Sequence, residues 1–531
     1  MHPKPADAPT RATHPPTSAT TEPLWPLIAF FAAVKLAVQV AALEGYGFFR
    51  DELYYFACAE RLAWGYVDHP PLSIAALGAV TSIFGESLWS LRLPAALLGA
   101  ALVAVVGWTA ARLGGGAAAQ ALAMVATVAA PVYLSLHHFY SMNAWSLLFW
   151  AVAGAAVLTA LDGGDRRHWV LLGGVLGLGL LNKIDILWLG AGLGAGLLIA
   201  GRDRLRTAGP WLAGIVAFAV FSPHLVWQAV NGWPTLEFIH NAGAHKMKTT
   251  APLDYVVDQI MMMHPLSLPL WLGGLIYLLA SGRARPFRVA GWIYPSVLLI
   301  LVLNGTSRSG YLAGAYPLLF AAGGVAWESW LRSDRRSGLS VLGFYAGALA
   351  VSGAFLAPLA LPVLDVEDYI EYAEQLGQAP STSERKEVGP LPQFYADMFG
   401  WPEMAAAVAE VADGLDPAER ARAAIFVGNY GEAGALRFFG RRHDLPPVLS
   451  GHNNHWLWGP EIIDEHGLTG EVLIILGGRL EDHAERFAEV ERAGETRCTY
   501  CMPYENGVPI FLARGPRVDL RQAWPDVKHF D

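Results

Sequence analysis

The chain has 531 residues, of which 54% are hydrophobic and 16% are charged, and its mean hydropathy is +0.34. Soluble domains average about 25% charged residues, so this composition excludes an ordinary soluble protein and indicates many membrane-embedded segments. The net charge of −9, with no dense basic segment, gives no support to nucleic-acid binding.

The N-terminal residues 1–23 are rich in Pro, Thr and Ala, which predicts a disordered cytoplasmic tail. The first apolar run could be a signal peptide, but we interpret it as an uncleaved span because more spans follow. The pattern predicts about eleven helices that cross a bilayer core of about 30 Å. These predicted spans are 24–43, 89–111, 116–134, 143–161, 169–183, 186–200, 210–229, 265–280, 289–303, 311–330 and 339–361.

The placement of arginine predicts the orientation of these spans. Alternate loops are rich in arginine, and the positive-inside rule puts them in the cytoplasm. They lie around residues 112, 166–167, 202–206, 283–288 and 332–336. This assignment requires two short spans at 169–183 and 186–200, since a single helix would place every later arginine-rich loop outside. The outward segments are then 44–88, 231–264, 304–310 and everything after 362.

The C-terminal residues 362–531 change character and predict a soluble α/β domain on the outer side. Predicted strands lie at 424–427, 472–476 and 508–512, and predicted helices lie at 402–414 and 481–492. The glycine-rich turn 428–434 follows a strand, where such a turn can hold an anion; it could be an acceptor or glycan site, or turn chemistry of the fold alone. Cys498 and Cys501 could form a local disulfide in an outward domain, whereas a zinc site would need two further ligands that the sequence does not place.

The first outward loop concentrates acids, aromatic residues and a histidine beside the end of a span. Residues 45–55 read Gly-Tyr-Gly-Phe-Phe-Arg-Asp-Glu-Leu-Tyr-Tyr, and residues 64–72 read Trp-Gly-Tyr-Val-Asp-His-Pro-Pro-Leu. Charged groups close to a membrane are costly and tend to mark function, and paired carboxylates can supply a general base with an orienting partner. The alternative is an amphipathic loop helix whose charges are solvated.

An Asp-Glu pair just after the first span, followed by Gly-Tyr-x-Asp-His-Pro-Pro-Leu, resembles the bacterial relatives of protein O-mannosyltransferases. The aminoarabinose transferase of lipid A is a more distant relative. The resemblance covers roughly residues 24–330, and it implies a polytopic α-helical membrane protein of GT-C type with its membrane domain at 24–361. It also implies a glycosyltransferase with a polyprenyl-phosphate sugar donor and a hydroxyl acceptor on a lipid, glycan or protein. The arginine placement predicts that this reaction takes place at the extracytoplasmic face of the inner membrane.

The resemblance also suggests roles for individual residues. Asp51 matches the proposed base, with Glu52 beside it and Asp68 as a second acidic residue. The predicted catalytic residues are Asp51, Glu52 and Asp68; the predicted donor phosphate ligands are His69, Arg308 and Arg50; the predicted sugar or acceptor contacts are Tyr54, Tyr55, Trp233 and Asn143.

Several of these residues keep a plainer interpretation. His69 could cap a helix or make a structural hydrogen bond. Arg308 could grip a phosphate with its planar fork, or it could reach lipid headgroups as an interfacial arginine. Trp233 could stack on a sugar, or it could belong to the aromatic belt of the membrane interface.

The chain departs from the family where many relatives have an aspartate near the start of the fourth span. Asn143 stands there, which puts a metal-assisted mechanism in doubt. We therefore predict no cofactor and favour no metal, although a divalent cation stays open. The rival function is a lipid-linked glycan transporter or flippase without transferase chemistry, and such proteins show paired broken helices or repeats. Convergence of Asp51, Asp68 and Arg308 on one outward cavity would favour the transferase.

The arginine asymmetry predicts that loop 44–88 and the C-terminal domain lie on the same, outer side of the membrane. Single cysteines introduced after residue 362 should react with a membrane-impermeant thiol reagent in intact cells. Cysteines placed between residues 202 and 206 are the cytoplasmic control and should react only after the cells are opened. Protection of the C-terminal positions in intact cells would contradict the orientation.

Overall fold

The structure, a computed structural model, describes residues 20–163, 165–331 and 335–531. The predicted disordered tail lies outside these residues up to position 19. The α-helices before residue 362 are Trp25–Ala41, Arg50–Ala59, Leu72–Phe84, Leu88–Arg112, Ala117–Ala129, Pro131–Ser135, Met142–Gly163, Arg166–Asn182, Ile186–Ala200, Arg202–Leu205, Ala208–Val230, Pro234–Asn241, Pro252–Met262, Leu268–Ala280, Arg288–Gly291, Ile293–Asn304, Tyr316–Trp330 and Arg335–Leu356.

Every predicted span overlaps one or two helices, and the polytopic α-helical architecture is confirmed. Within the described ranges, five helices are long and apolar enough to cross a membrane by themselves. They are Leu88–Arg112, Met142–Gly163, Ala208–Val230, Arg285–Asn304 and Ser337–Leu359. A sixth passes the same test if Pro252–Met262 and Pro265–Ala280, which are bent by 93° at the break between them, form one span. The number of about eleven crossings stays a prediction.

Glycine allows some of the membrane helices to touch through their backbones. Gly274, on helix Leu268–Ala280, and Gly323, on helix Tyr316–Trp330, face each other's helix. A Cβ atom on either glycine would collide with a backbone carbonyl oxygen across the contact. Small residues are the usual means of bringing helices this close in a membrane, where no hydrophobic effect drives apolar helices together.

The C-terminal residues form a five-stranded mixed sheet. Its strands are β1 (Ala423–Val427), β2 (Val448–Ser450), β3 (Val472–Leu476), β4 (Phe487–Glu495) and β5 (Pro509–Pro516). The order is β2-β1-β3-β5-β4, with parallel pairing from β2 to β3 and antiparallel pairing from β3 to β4. The α-helices after residue 362 are Val366–Gln375, Gln393–Ala396, Trp401–Asp413, Pro417–Arg420, Tyr430–Phe439, Asn454–His466, Leu480–Ala484 and Leu520–Ala523.

The three predicted strands and the helix predicted at 402–414 are confirmed. The helix predicted at 481–492 is wrong beyond Ala484, because residues Phe487–Glu495 form the edge strand β4. The glutamates in this segment suggest a helix, but their side chains are exposed on an edge strand. Charged residues on an edge strand discourage pairing with other chains, which explains a strand with a helix-like composition.

A buried ion pair joins helix Arg50–Ala59 to helix Leu88–Arg112. Arg92, on helix Leu88–Arg112, is 1% exposed, and Glu52, on helix Arg50–Ala59, is 0% exposed. The guanidinium of Arg92 donates from Nε and Nη2 to the two carboxylate oxygens of Glu52, at 3.2 and 3.1 Å. The remaining donors of Arg92 bind backbone carbonyls of the loop, those of Leu43, Gly45 and Gly47.

Glu52 has further partners that fix the loop. Its Oε2 accepts the backbone N–H of Phe49 at 2.9 Å, which completes the cap of helix Arg50–Ala59. Its Oε1 accepts the backbone N–H of Tyr140 at 2.9 Å. Both carboxylate oxygens of Glu52 are therefore hydrogen-bonded to protein groups. The ion pair between Arg92 and Glu52 thus fixes the start of the helix that carries Asp51.

We expect Glu52→Gln to lower the free energy of unfolding by about 3–5 kcal/mol, because it leaves the buried charge of Arg92 without a counter-ion. The measurement is the denaturation midpoint of the purified protein in detergent. The control is Glu60→Gln, which removes a partly exposed carboxylate paired with Arg437 and Arg441. Exposed pairs contribute about 0–1 kcal/mol. Equal stability of the two variants would show that the pair does not hold the loop.

Candidate active site

Asp51 lies in the first turn of helix Arg50–Ala59 and remains accessible. The hydroxyl of Tyr430 donates to its Oδ1 at 2.8 Å, and Nε of Arg50 lies 3.8 Å from the same oxygen. The side chain of Asp51 is 32% exposed. Within the part of the chain that the structure describes, its Oδ2 accepts no protein hydrogen bond. The carboxylate is therefore oriented by the protein on one side and open on the other.

Asp68 and His69 lie beside the same helix. The hydroxyl of Tyr54 donates to Oδ1 of Asp68 at 3.0 Å, and Nε2 of His69 lies 3.7 Å from that oxygen. Nδ1 of His69 lies 3.1 Å from the carbonyl oxygen of Pro70, which can only accept, so Nδ1 carries a proton. His69 is 1% exposed. This burial places His69 as a partner of Asp68 rather than as an open surface cation.

Three tyrosines connect the two aspartates, and we call Tyr54, Tyr55 and Tyr430 the tyrosine layer. The ring centroids of Tyr54 and Tyr430 are 5.0 Å apart, and those of Tyr54 and Tyr55 are 6.3 Å apart. Tyr430 binds Asp51 and Tyr54 binds Asp68, so the layer brings both acids to one place. The predicted contacts Tyr54 and Tyr55 are buried inside it, at 1% and 3% exposure.

Arg50, Lys246 and Arg308, which we call the cation group, gather around Glu384. Arg308 donates from Nη2 to Oε1 of Glu384 at 2.8 Å, and Nη2 of Arg50 lies 3.7 Å from the same oxygen. Nζ of Lys246 lies 5.7 Å from the ring centroid of Tyr430, and the guanidinium carbon of Arg50 lies 5.3 Å from it. The cation group therefore adjoins the tyrosine layer and Asp51.

The carboxylates near the cation group titrate differently. Burial disfavours the charge of Glu384, but Arg50, Lys246 and Arg308 outweigh burial and lower its pKa to about 2. Burial raises the pKa of Asp397 to about 6, although Arg50 lies 3.5 Å away and opposes the change. Glu384 is therefore ionised at neutral pH and holds Arg308 and Arg50 in place. Arg308 is nevertheless 40% exposed, so its guanidinium can still meet a ligand.

The remaining predicted residues occupy different places. Oδ1 of Asn143 accepts a hydrogen bond from Nζ of Lys183 at 2.7 Å. Asn143 follows Met142, whose backbone N–H donates to the hydroxyl of Tyr55, so it lies next to the tyrosine layer. Trp233 is 44% exposed at the start of helix Pro234–Asn241. Among the described residues, no hydrogen bond or ring contact joins Trp233 to the tyrosine layer.

Neither Glu384 nor the particular role of Tyr430 is marked by a motif in the sequence. Tyr430 belongs to the glycine-rich turn 428–434 that we considered as an anion or glycan site. The tyrosine points its hydroxyl at Asp51, and Gly431 lies so close to Arg50 that a Cβ atom would collide with the arginine side chain. Glu384 lies in a charged stretch without a motif, so only its position in space identifies it.

The described residues contain one cluster of three potential metal ligands, formed by His452, His529 and Asp531. Nε2 of His452 lies 3.1 Å from Oδ1 of Asp531, and this hydrogen bond lowers the pKa of the Asp531 carboxyl. A histidine–carboxylate pair accounts for that geometry by itself. The preference for a mechanism without metal stays a prediction. Cys498 and Cys501 are free thiols, and the N–H of Cys501 donates to Sγ of Cys498 at 3.1 Å.

The chain is similar to known glycosyltransferases. Residues 68–227 match the family model described as dolichyl-phosphate-mannose-protein mannosyltransferase. The chain is 25% identical over 330 residues to the lipid A galacturonosyltransferase RgtD of Rhizobium johnstonii. The aligned residues cover 59% of this chain and 68% of that protein.

Two solved structures show a similar fold. ArnT from Cupriavidus metallidurans, bound to undecaprenyl phosphate, matches with a TM-score of 0.59 at 16% identity, over 93% of this chain and all of that one. The arabinofuranosyltransferase AftD from Mycobacteria matches with a TM-score of 0.52 at 13% identity, over 95% of this chain and 41% of that one. These structures show that the chain has a fold similar to that of ArnT, and the two sequence matches show similarity to bacterial glycosyltransferases related to the protein O-mannosyltransferases.

Proposed function

We propose that this glycosyltransferase moves a sugar from a polyprenyl-phosphate carrier to a hydroxyl group of an acceptor at the extracytoplasmic face of the inner membrane. The observation that carries the proposal is the position of Asp51. Its accessible carboxylate is oriented by Tyr430 and lies beside the cation group. A general base next to phosphate-binding cations is what such a transfer requires.

In the proposed reaction the acceptor oxygen attacks the anomeric carbon of the donor sugar. A bond forms between that oxygen and the anomeric carbon, and the bond between the anomeric carbon and the phosphate oxygen breaks. Asp51 takes the proton of the acceptor hydroxyl. The leaving polyprenyl phosphate gains negative charge in this step, so cations that hold it stabilise the transition state more than the ground state.

The cation group supplies that stabilisation in the proposal. Arg308 is accessible and presents a planar fork that suits a phosphate. Burial lowers the pKa of Lys246, and an arriving phosphate anion would favour its charged form. Arg50 is 10% exposed and is bound by Glu384, Asp397 and Tyr504, so it acts mainly by positioning the group.

Asp68 and Glu52 take supporting roles in the proposal. Asp68, with its 16% exposed side chain, is bound by Tyr54 and adjoins His69, and it is the alternative base. Glu52 is fully buried with both oxygens engaged, so it positions the helix of Asp51. His69 contributes through Asp68 rather than by holding the donor phosphate.

The relatives support the choice of donor and acceptor. ArnT binds undecaprenyl phosphate, which supports a polyprenyl phosphate as the carrier here. The name of RgtD says that its acceptor is lipid A, which supports a lipid-borne glycan as the acceptor of this enzyme. The arginine asymmetry supports an extracytoplasmic site, because it assigns loop 44–88 and the C-terminal residues to the same outer side.

The gathering of Asp51, Asp68 and Arg308 favours a transferase over a transporter. Asp51 and Asp68 each accept a hydrogen bond from a tyrosine of the tyrosine layer. Arg308 is bound to Glu384, which also lies near Arg50, the neighbour of Asp51. A flippase without transferase chemistry would not need an oriented carboxylate beside phosphate-binding cations.

Arg308→Ala should weaken binding of an undecaprenyl-phosphate sugar more than Arg308→Lys does. Lysine keeps the positive charge beside Glu384 but loses the planar fork that can hold two phosphate oxygens. The measurement is the dissociation constant of the donor for the purified variants. Wild-type affinity in both variants would make Arg308 an anchor at the membrane interface.

Asp51→Asn should reduce turnover by about 10²–10⁴-fold, because the amide keeps the shape and the hydrogen bond from Tyr430 but cannot accept a proton. Donor affinity and the denaturation midpoint should change little. Turnover can be followed with a donor and a glycolipid extract from a deletion strain, or by complementation and glycan analysis.

The matched variant for this test is Asp68→Asn, which removes the other tyrosine-bound carboxylate of the site. We expect a smaller loss of turnover than in Asp51→Asn. Near-normal activity in Asp51→Asn together with a large loss in Asp68→Asn would transfer the role of base to Asp68.

A further inference from the structure

Cys498 and Cys501 are two thiols for which the mechanism above has no role. They lie between strands β4 and β5, in residues 496–508, which we call the cysteine loop. Cys498 is partly exposed, and Cys501 is 4% exposed. The third cysteine of the chain, Cys58, is buried in helix Arg50–Ala59. The spacing Cys-Thr-Tyr-Cys therefore makes Cys498 and Cys501 the two thiols that are close in sequence.

The fold brings these two side chains to one place. The backbone N–H of Cys501 donates to Sγ of Cys498 at 3.1 Å, and Sγ of Cys501 lies 3.7 Å from the carbonyl oxygen of Cys498. Both side chains also lie against Gly400. A Cβ atom on Gly400 would lie 3.0 Å from Sγ of Cys498 and 3.3 Å from Cβ of Cys501. The two side chains therefore converge on the same point, as a disulfide requires.

The two thiols differ in reactivity. Hydrogen bonds from the thiol and the backbone N–H of Cys501 lower the pKa of Cys498 to about 7. The hydrogen bond between the thiols, together with burial, raises the pKa of Cys501. The thiolate is the nucleophile in disulfide exchange, and an accessible cysteine of low pKa reacts first. Cys498 is therefore the attacking thiol, and Cys501 is the thiol that completes the bond.

The cysteine loop reaches the candidate active site. The hydroxyl of Tyr504 accepts a hydrogen bond from Nη1 of Arg50 at 2.8 Å. Oε1 of Glu505 accepts from Nδ2 of Asn429 at 3.1 Å, and Asn429 caps helix Tyr430–Phe439. The loop thus contacts a member of the cation group and the start of the helix whose first residue orients the proposed base.

The glycine that meets the two cysteines belongs to a second segment that holds Arg50. The backbone N–H of Arg50 donates to the carbonyl oxygen of Asp397 at 3.0 Å, and Nη2 of Arg50 lies 3.5 Å from Oδ2 of Asp397. Gly400 follows Asp397 by one turn of chain. The cysteine pair therefore lies where the segment 397–400 meets the cysteine loop. A bond between the thiols would fix the turn that packs on Gly400, just before Tyr504.

We propose that Cys498 and Cys501 are oxidised to a disulfide, and that this disulfide holds Tyr504 against Arg50 and so supports binding of the donor phosphate. The disulfide itself does not depend on the proposed function, whereas its effect on donor binding rests on it. The predicted outer position of the C-terminal residues supports the oxidation, because disulfides form and persist outside the cytoplasm.

The oxidant in the proposal is a protein disulfide of the oxidising compartment. The thiolate of Cys498 attacks one sulfur of that disulfide, so a mixed disulfide forms and one thiolate of the oxidant leaves. The thiolate of Cys501 then attacks Sγ of Cys498, and the second thiolate of the oxidant leaves. Two electrons pass to the oxidant, and its two thiolates take up the two protons that Cys498 and Cys501 lose.

Differential alkylation of the full-length protein tests the disulfide. The protein is unfolded directly from isolated membranes in a first alkylating reagent, then reduced and treated with a second one, and its peptides are identified by mass spectrometry. We expect Cys498 and Cys501 to carry only the second reagent. Cys58 is the internal control and should carry the first, because it is 0% exposed in the fold and far from both thiols in sequence. The first reagent on Cys498 and Cys501 would overturn the disulfide.

The affinity of the purified protein for undecaprenyl phosphate tests the link to Arg50. We expect reduction to weaken binding by about 2- to 10-fold, which corresponds to the cost of ordering one side chain on binding. Reoxidation should restore the affinity. Equal dissociation constants for the oxidised and the reduced protein would overturn the link.

Three variants make this test specific. The double variant Cys498→Ser with Cys501→Ala should bind like the reduced wild type and should not respond to reductant. Tyr504→Phe removes the hydroxyl that Arg50 binds, so it should keep the disulfide, bind more weakly and lose the response to reductant. Thr499→Ala is the matched control, since it changes an exposed residue between the two cysteines and should behave like the wild type.

The outcomes separate this inference from the proposed function. If the double variant does not fold, the wild type with and without reductant and Tyr504→Phe still decide the link. A full response to reductant in Tyr504→Phe would overturn the path through Arg50. Failure of every form to bind undecaprenyl phosphate would contradict the proposed function, and with it the link, while the alkylation result would still decide the disulfide.

Discussion

The ion pair between Arg92 and Glu52 fixes the position on which the candidate site depends. Arg92 comes from a long membrane helix, and Glu52 caps the short helix that carries Asp51. Since both charges are buried, neither can be satisfied without the other. The same guanidinium binds three carbonyl groups of the loop, so the path of the chain from the first span to Asp51 is determined by one side chain.

Residues from the membrane part and from the C-terminal part of the chain together form the candidate site. The membrane part contributes Asp51, Asp68, Lys246 and Arg308, and the C-terminal part contributes Glu384 and Tyr430. Tyr430 orients Asp51, and Glu384 orients Arg308 and Arg50. In the proposed mechanism, the C-terminal residues thus supply side chains that position the base and the phosphate ligands.

Positive charge is concentrated beside the proposed base. Arg308 and Arg50 lie 2.8 and 3.7 Å from the same oxygen of Glu384, and Lys246 lies over the ring of Tyr430, whose hydroxyl binds Asp51. In the proposed reaction the cation group faces the phosphate, where negative charge grows during transfer.

The sequence by itself determined the polytopic α-helical architecture, because long apolar runs must be helical in a bilayer, and its arginine pattern predicts the orientation. Its cluster of acids and aromatic residues also marked loop 44–88, and the family resemblance then pointed to Asp51, Asp68 and Arg308. Only the tertiary structure decided that Glu52 is a buried ion-pair partner, that Glu384 and Tyr430 join the site from about 330 and 380 residues away, and that residues 487–495 form an edge strand. These outcomes depend on long-range contacts, and local composition carries no information about which distant residues meet.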